Sequence, residues 1–223
     1  FAGMLSSLFI VTFLVTRNGY KDLLVLFDKK TFIRLFKVGS QLLLISFGFV
    51  LLTTADKFSV ANFFSKIDMG LFSMATNVAM VPYTIGIALQ GIVSQRMLEE
   101  YGKTKEINSI KIFLDESIFA VAFLVPLFSV LLNTLTEPLI TLLLPKYVGS
   151  LQYIDKLSIG IYFLAISIMC YSFMIVITKY FTIMILQILL IVSVVFCNSL
   201  IANTIYGLLG VSIITILNYL FFA

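Results

Sequence analysis

Asp56 and Lys57 are neighbours inside an apolar run, Val38 to Phe64, that is long enough to cross a bilayer. At the centre of a spanning helix each charge costs roughly 2.5 to 3.5 kcal/mol, against about 0.3 to 0.6 kcal/mol gained per Leu, Ile, Phe or Val. The large apolar side chains between Leu42 and Leu52 offset roughly 3 to 5 kcal/mol, no more than the pair costs, so both charges need shelter. The chemistry open to them is distinct. An ammonium can hold an anion, and a membrane-embedded carboxylate can take up a proton or a cation.

The element that must position them is a helix. At about 100° per residue, Gln41, Ser46, Gly48, Thr53, Ala55, Asp56, Lys57 and Ser59 share one half of its circumference, and most bulky apolar residues share the other. Thr54 and Asn62 break the pattern. A helix with one polar, small-residue face and one lipid face lines a bundle interior or a water-filled cavity. Because adjacent residues point about 100° apart, Asp56 and Lys57 cannot be each other's main partner. The alternative is interfacial: two further turns, Phe58 to Phe64, place the pair near one surface, with Lys57 snorkelling and Asp56 solvated.

A third segment, Met69 to Ser94, follows a tight connection at residues 65–68 and contains Pro82, which is expected to kink it. On a wheel, Ser73, Thr76, Asn77, Tyr83, Thr84, Gln90, Gly91 and Ser94 share an arc of about 140°. Such a face serves either a polar cavity or close helix packing. The candidate cavity residues are thus Lys57, Asp56, Asn77, Thr84, Gln90 and Gln41, with Asp56 also the ion-coupling candidate.

The composition fixes the class. Of 223 residues, 61% are hydrophobic and 12% charged, and the mean hydropathy is +1.11. This is an all-α, polytopic membrane protein of about seven spans, because repeated apolar stretches of about 20 residues select helices over a barrel. Further spans are expected over 112–132, 157–178, 180–202 and from Tyr206, with residues 1–16 the tail of an earlier one. Residues 135–145 are too short to cross and read as interfacial or re-entrant, and residues 95–116 as a solvated, helical loop. His is absent. Cys170 and Cys197 sit in separate apolar segments as buried small residues, so no metal site or disulfide framework is expected.

The net charge of +4 is explained by location rather than by nucleic acid. Eleven of the fifteen Lys and Arg fall in 17–37, 95–116 and 178–181, whereas the opposite loops hold Lys66, Lys146 and Lys156. The positive-inside rule puts the basic 17–37 stretch in the cytoplasm. No phosphate loop and no nucleophile-and-base constellation suggests an enzyme.

Phe32-Ile-Arg-Leu-Phe-Lys-Val-Gly39, Thr54-Ala-Asp-Lys57, Gly70-Leu-Phe-Ser-Met-Ala75 with Pro82, and Leu144-Pro-Lys-Tyr147 resemble the polysaccharide flippases of the multidrug/oligosaccharidyl-lipid/polysaccharide exporter superfamily, which move O-antigen, capsule or exopolysaccharide repeat units. The match is to the C-terminal half. The resemblance implies that residues 1–16 end an N-terminal lobe, that 17–37 form the interlobe linker, and that 38–223 form the C-terminal lobe of a V-shaped molecule, with its last helix truncated. It implies a bacterial cytoplasmic membrane location and alternating access for a polyprenyl-diphosphate-linked oligosaccharide. It also implies a missing N-terminal lobe as partner, no cofactor, and coupling to a proton or Na⁺. The family's Asp-Arg or Asp-Lys position falls on Asp56 and Lys57, and Lys keeps the charge but not bidentate phosphate geometry. The rival expectations are a multidrug or cation exporter of the same superfamily, for which a cavity lysine is a poor choice, and a polymerase of glycan assembly, which calls for a large outer loop.

Overall fold

The structure, a computed structural model, describes residues 28–201 and 207–223. Among these are seven α-helices and no strand: α1 (Lys29–Phe63), α2 (Lys66–Ala79), α3 (Tyr83–Thr104), α4 (Ile107–Leu143), then a 3₁₀ turn (Pro145–Ser150), α5 (Leu151–Val176), α6 (Tyr180–Ile201) and α7 (Gly207–Phe222). Four of the helices, α1, α4, α5 and α6, are long and apolar enough to cross a membrane. The α2 and α3 helices together make a fifth, broken span, and α7 is a shorter apolar helix. The protein is a multi-pass, all-α membrane protein. The span expected at residues 1–16 lies outside the described residues.

The chain separates into two units, Phe1–Gln41 and Leu42–Ala223. In the first, Asp28 opens α1 by accepting hydrogen bonds from the backbone N–H of Lys30 (3.0 Å) and Thr31 (3.1 Å) and from the Thr31 hydroxyl. These donors, the hydroxyl foremost, hold its carboxyl below the ordinary range.

In the second unit α5 is the hub, packed by α2, α3, α4 and α7. Without a hydrophobic drive between helices in lipid, close approach depends on small side chains. Gly160 faces the Ile216 backbone and Tyr219 of α7, and Gly86 of α3 faces Ala165. Ile154, Leu157, Ile161, Leu164 and Met169 fill the same helix's other buried positions against Phe72, Val121 and Val211. Cys170 and Cys197 are free and only half-buried, so the expectation of burial is corrected.

The Pro82 expectation holds. Proline has no N–H for a bond to Val78, whose carbonyl instead accepts from Val81 (3.1 Å), and α2 and α3 meet at a 47° bend. The connection at 65–68 is already helical, because Ser65 and Asp68 form a reciprocal capping box at the start of α2. Two boundaries are corrected. Residues 135–145 are not a separate interfacial element, since α4 runs unbroken for 37 residues to Leu143 with Pro126 and Pro138 inside it. At 1.5 Å per residue it is about 55 Å long, so it projects beyond a hydrocarbon core of about 30 Å. The 95–116 loop shrinks to Lys105 and Glu106 between two projecting helix ends, with Lys105 turning the chain at φ 58°. On the α3 end, Lys103 pairs with Glu99 at 2.7 Å and its hydrogen bond holds that carboxyl below the ordinary range.

Candidate functional site

The adjacent charges of α1 go to different places, as one helical step of about 100° requires. Asp56 turns inward and is only 4% exposed. Asn198 of α6 donates from Nδ2 to its Oδ1 at 3.2 Å, and the Thr215 hydroxyl of α7 also reaches it. Tyr219 lies within electrostatic range of the same carboxylate. No described Lys or Arg pairs with Asp56. The interfacial alternative, with Asp56 solvated, does not describe this geometry.

Two features of this pocket are chemically open. The Thr215 hydroxyl has one hydrogen, yet it lies 3.0 Å from the Val211 carbonyl as well as beside Asp56, so both acceptors cannot be served at once. The Asn198 Oδ1 is buried and accepts nothing among the described residues. A carboxylate with too few donors, beside an idle amide oxygen, can be relieved by a proton on the carboxyl or by a small cation. No group of three His, Cys, Asp or Glu among the described residues could hold a metal ion.

Lys57 points the other way. It is half-buried, and its Nζ donates to Asn77 Oδ1 of α2 at 3.2 Å on an exposed face. The structure therefore brings together two of the cavity candidates, Lys57 and Asn77. Thr84 is exposed beyond the bend, with its hydroxyl turned back on the Val81 carbonyl at 2.7 Å. Gln90 is half-buried further along α3, and neither residue is hydrogen-bonded to Lys57 or Asn77. Gln41, half-buried, ends the other unit. The 140° arc was drawn for one straight helix, and the 47° bend divides it. Thr76 and Tyr83 go to the interior while Asn77 and Thr84 stay outside.

A second amide joins the same two helices. Gln187 of α6 donates to the Ile45 carbonyl of α1 at 3.1 Å, and Gly48 gives it room, since a methyl there would overlap the Gln187 carboxamide. The two links, Gln187 to Ile45 and Asn198 to Asp56, span the same sequence separation of 142 residues. The α1 and α6 segments therefore run parallel and in register. Asn198, Thr215, Tyr219 and Gln187 were not singled out by sequence reasoning. The available signal was an amide at each of two places in an otherwise apolar span, where an unsatisfied amide is costly.

A family model described as polysaccharide biosynthesis protein matches residues 1–147, from the first unit into the turn before α5. The match contains Asp56, Lys57 and Asn77 and stops short of Asn198 and Thr215. No curated protein and no solved structure matches the chain.

Proposed function

The chain belongs to the polysaccharide biosynthesis protein family, and from that premise we propose that it is a flippase. It moves polyprenyl-diphosphate-linked oligosaccharide repeat units outward across the bacterial cytoplasmic membrane by alternating access. In this reading the described helices are the C-terminal lobe and work with an N-terminal lobe. Transport needs no covalent step and no organic cofactor, so the chain is not an enzyme. The observation that carries the reading is the division of labour at one point of α1: a carboxylate sealed inside the bundle beside an ammonium on an open, amide-bearing face. Lys57 supplies the positive charge a diphosphate needs, and Asn77, Thr84 and Gln90 supply amides and a hydroxyl for sugar. Asp56, with Asn198 and Thr215, takes the driving proton or Na⁺.

The test is polysaccharide export in a deletion strain complemented with the full protein at matched expression. Lys57→Ala should abolish most export while leaving membrane insertion intact, and Lys57→Arg should retain much of it. Export at the native level by Lys57→Ala overturns the reading.

A further inference from the structure

Charge marks residues 17–37 as a linker, yet from Lys29 onward the chain is already helix α1. With 35 residues α1 is about 52 Å long, about 20 Å more than a hydrocarbon core of about 30 Å takes up. The apolar run begins only at Val38, and the distribution of Lys and Arg predicts that the stretch before it, Lys29–Lys37, leaves the core on the cytoplasmic side. That stretch is about 13 Å of helix.

Its two sides differ in kind. At about 100° per residue Lys29, Lys30, Arg34 and Lys37 fall within an arc of about 140°, while Phe32, Leu35 and Phe36 fall within about 100° on the other side. Ile33 alone of its apolar residues lies on the basic side. The Phe32 and Phe36 rings stack with centroids 6.3 Å apart, and Leu35 and Phe36 are 66% and 69% exposed. The four cations are exposed as well, and none forms an ion pair among the described residues. Asp28, the acid that precedes them, is committed to the helix start, where its carboxyl accepts from the backbone N–H of Lys30 and Thr31 and from the Thr31 hydroxyl. The next acid along α1 is Asp56.

Standing upright, the helix would carry Phe32 about 9 Å from Val38, past a headgroup layer of about 5 to 8 Å and into water. Leaning into the interface submerges the stacked rings and leaves the basic arc at the depth of the phosphates. A soluble anion would match the cations and leave the rings in water, and a zwitterionic leaflet would cover the rings and leave the charge unmatched. A leaflet of anionic phospholipid meets both sides.

We propose that Lys29–Lys37 is an interfacial segment that gathers anionic phospholipid of the cytoplasmic leaflet, with Lys30, Arg34 and Lys37 on the phosphates and Leu35 and Phe36 among the acyl chains beneath them. Those three cations stand at i, i+4 and i+7, one row of about 10 Å along the helix. Arg34 can hold a phosphate through two N–H groups at once, and the lysines hold it as point charges. The segment acts on the membrane alone, so it stands or falls independently of the transport reading.

The test places a fluorophore at Gly39→Cys, where a side chain meets open space, in the full protein carrying Cys170→Ser and Cys197→Ser. Nanodiscs of phosphatidylcholine receive the same small fraction of either brominated phosphatidylglycerol or brominated phosphatidylcholine. Both leaflets are alike, so the orientation of the protein does not enter. Phosphatidylglycerol should quench at least about twice as strongly, since each Lys or Arg at the surface enriches it roughly five-fold. Changing Lys29, Lys30, Arg34 and Lys37 together to Gln, a residue of similar helix propensity, should make the two lipids equal with helix content unchanged. Lys29→Arg, Lys30→Arg and Lys37→Arg together should keep the preference. Equal quenching by the two lipids with the native segment overturns the proposal, and so does quenching by neither, which would mean that protein rather than lipid covers this face. A preference that survives the four Gln substitutions overturns it too, because other cations of the chain would then be its source.

Discussion

At the level of single residues, Asp56 and Lys57 separate two kinds of contribution. The Lys57–Asn77 contact is an ammonium-to-amide hydrogen bond on an exposed face, where even an ion pair contributes only about 0.2 to 1 kcal/mol. A double-mutant cycle of Lys57→Ala and Asn77→Ala, read by thermal unfolding, should therefore give a coupling below about 1 kcal/mol, even where export collapses. A larger coupling would make the pair structural. Asp56 should behave in the opposite sense. Asp56→Asn keeps hydrogen-bonding capacity in the pocket while losing the proton site, so the chain should stay folded and lose the dependence of export on the ion gradient. Asn198→Ala removes a donor from a buried carboxylate and should cost about 1 to 3 kcal/mol in unfolding free energy. The need for shelter was legible from Asp56 alone. Its identity was not, because Asn198 and Thr215 lie 142 and 159 positions away, and no local periodicity points from one to the other.

Among the elements, helix contacts are set by where side chains are missing. At Gly160 a Cβ would sit 3.3 Å from the Ile216 Cα, a backbone atom that cannot step aside, whereas Gly91 on α3 has open space. Gly160→Leu should thus overpack the α5–α7 contact and cost about 1 to 3 kcal/mol or more. Gly91→Ala should be neutral or stabilising by about 0.5 to 1 kcal/mol through helix propensity. Unfolding of both variants in one detergent checks the contrast, and equal effects would contradict it. Span-length apolar runs made most helices legible, and Pro82 marked the bend. What the pattern hid was any break or continuation that costs little. Pro138 does not end α4, which runs on to Leu143 through most of the 135–145 stretch that read as a separate short element. The α2–α3 bend also redirects two polar stretches that a straight wheel merges.

For the whole molecule, the parallel α1 and α6 provide a check on the alternation of crossings that owes nothing to charge. Alternating crossings by α1, the α2–α3 pair, α4, α5 and α6 give α1 and α6 the same direction, as the two amide links require. Combined with the distribution of Lys and Arg, this predicts the α3–α4 turn inside and the α1–α2 turn outside. Cysteines placed at Lys103 and Lys66 in intact cells should differ accordingly: an impermeant thiol reagent should label Lys66→Cys and not Lys103→Cys. The reverse would invert the topology. The links also act as a ruler. They lie eleven residues apart on both helices, about three turns or 16 Å. Inserting one residue between Ile45 and Asp56 would swing the carboxylate about 100° out of its pocket while Gln187 still held its carbonyl. Length changes in these two short stretches are therefore forbidden to drift separately, and counting the residues between the two positions in any related chain tells whether it can hold its acid in the same way.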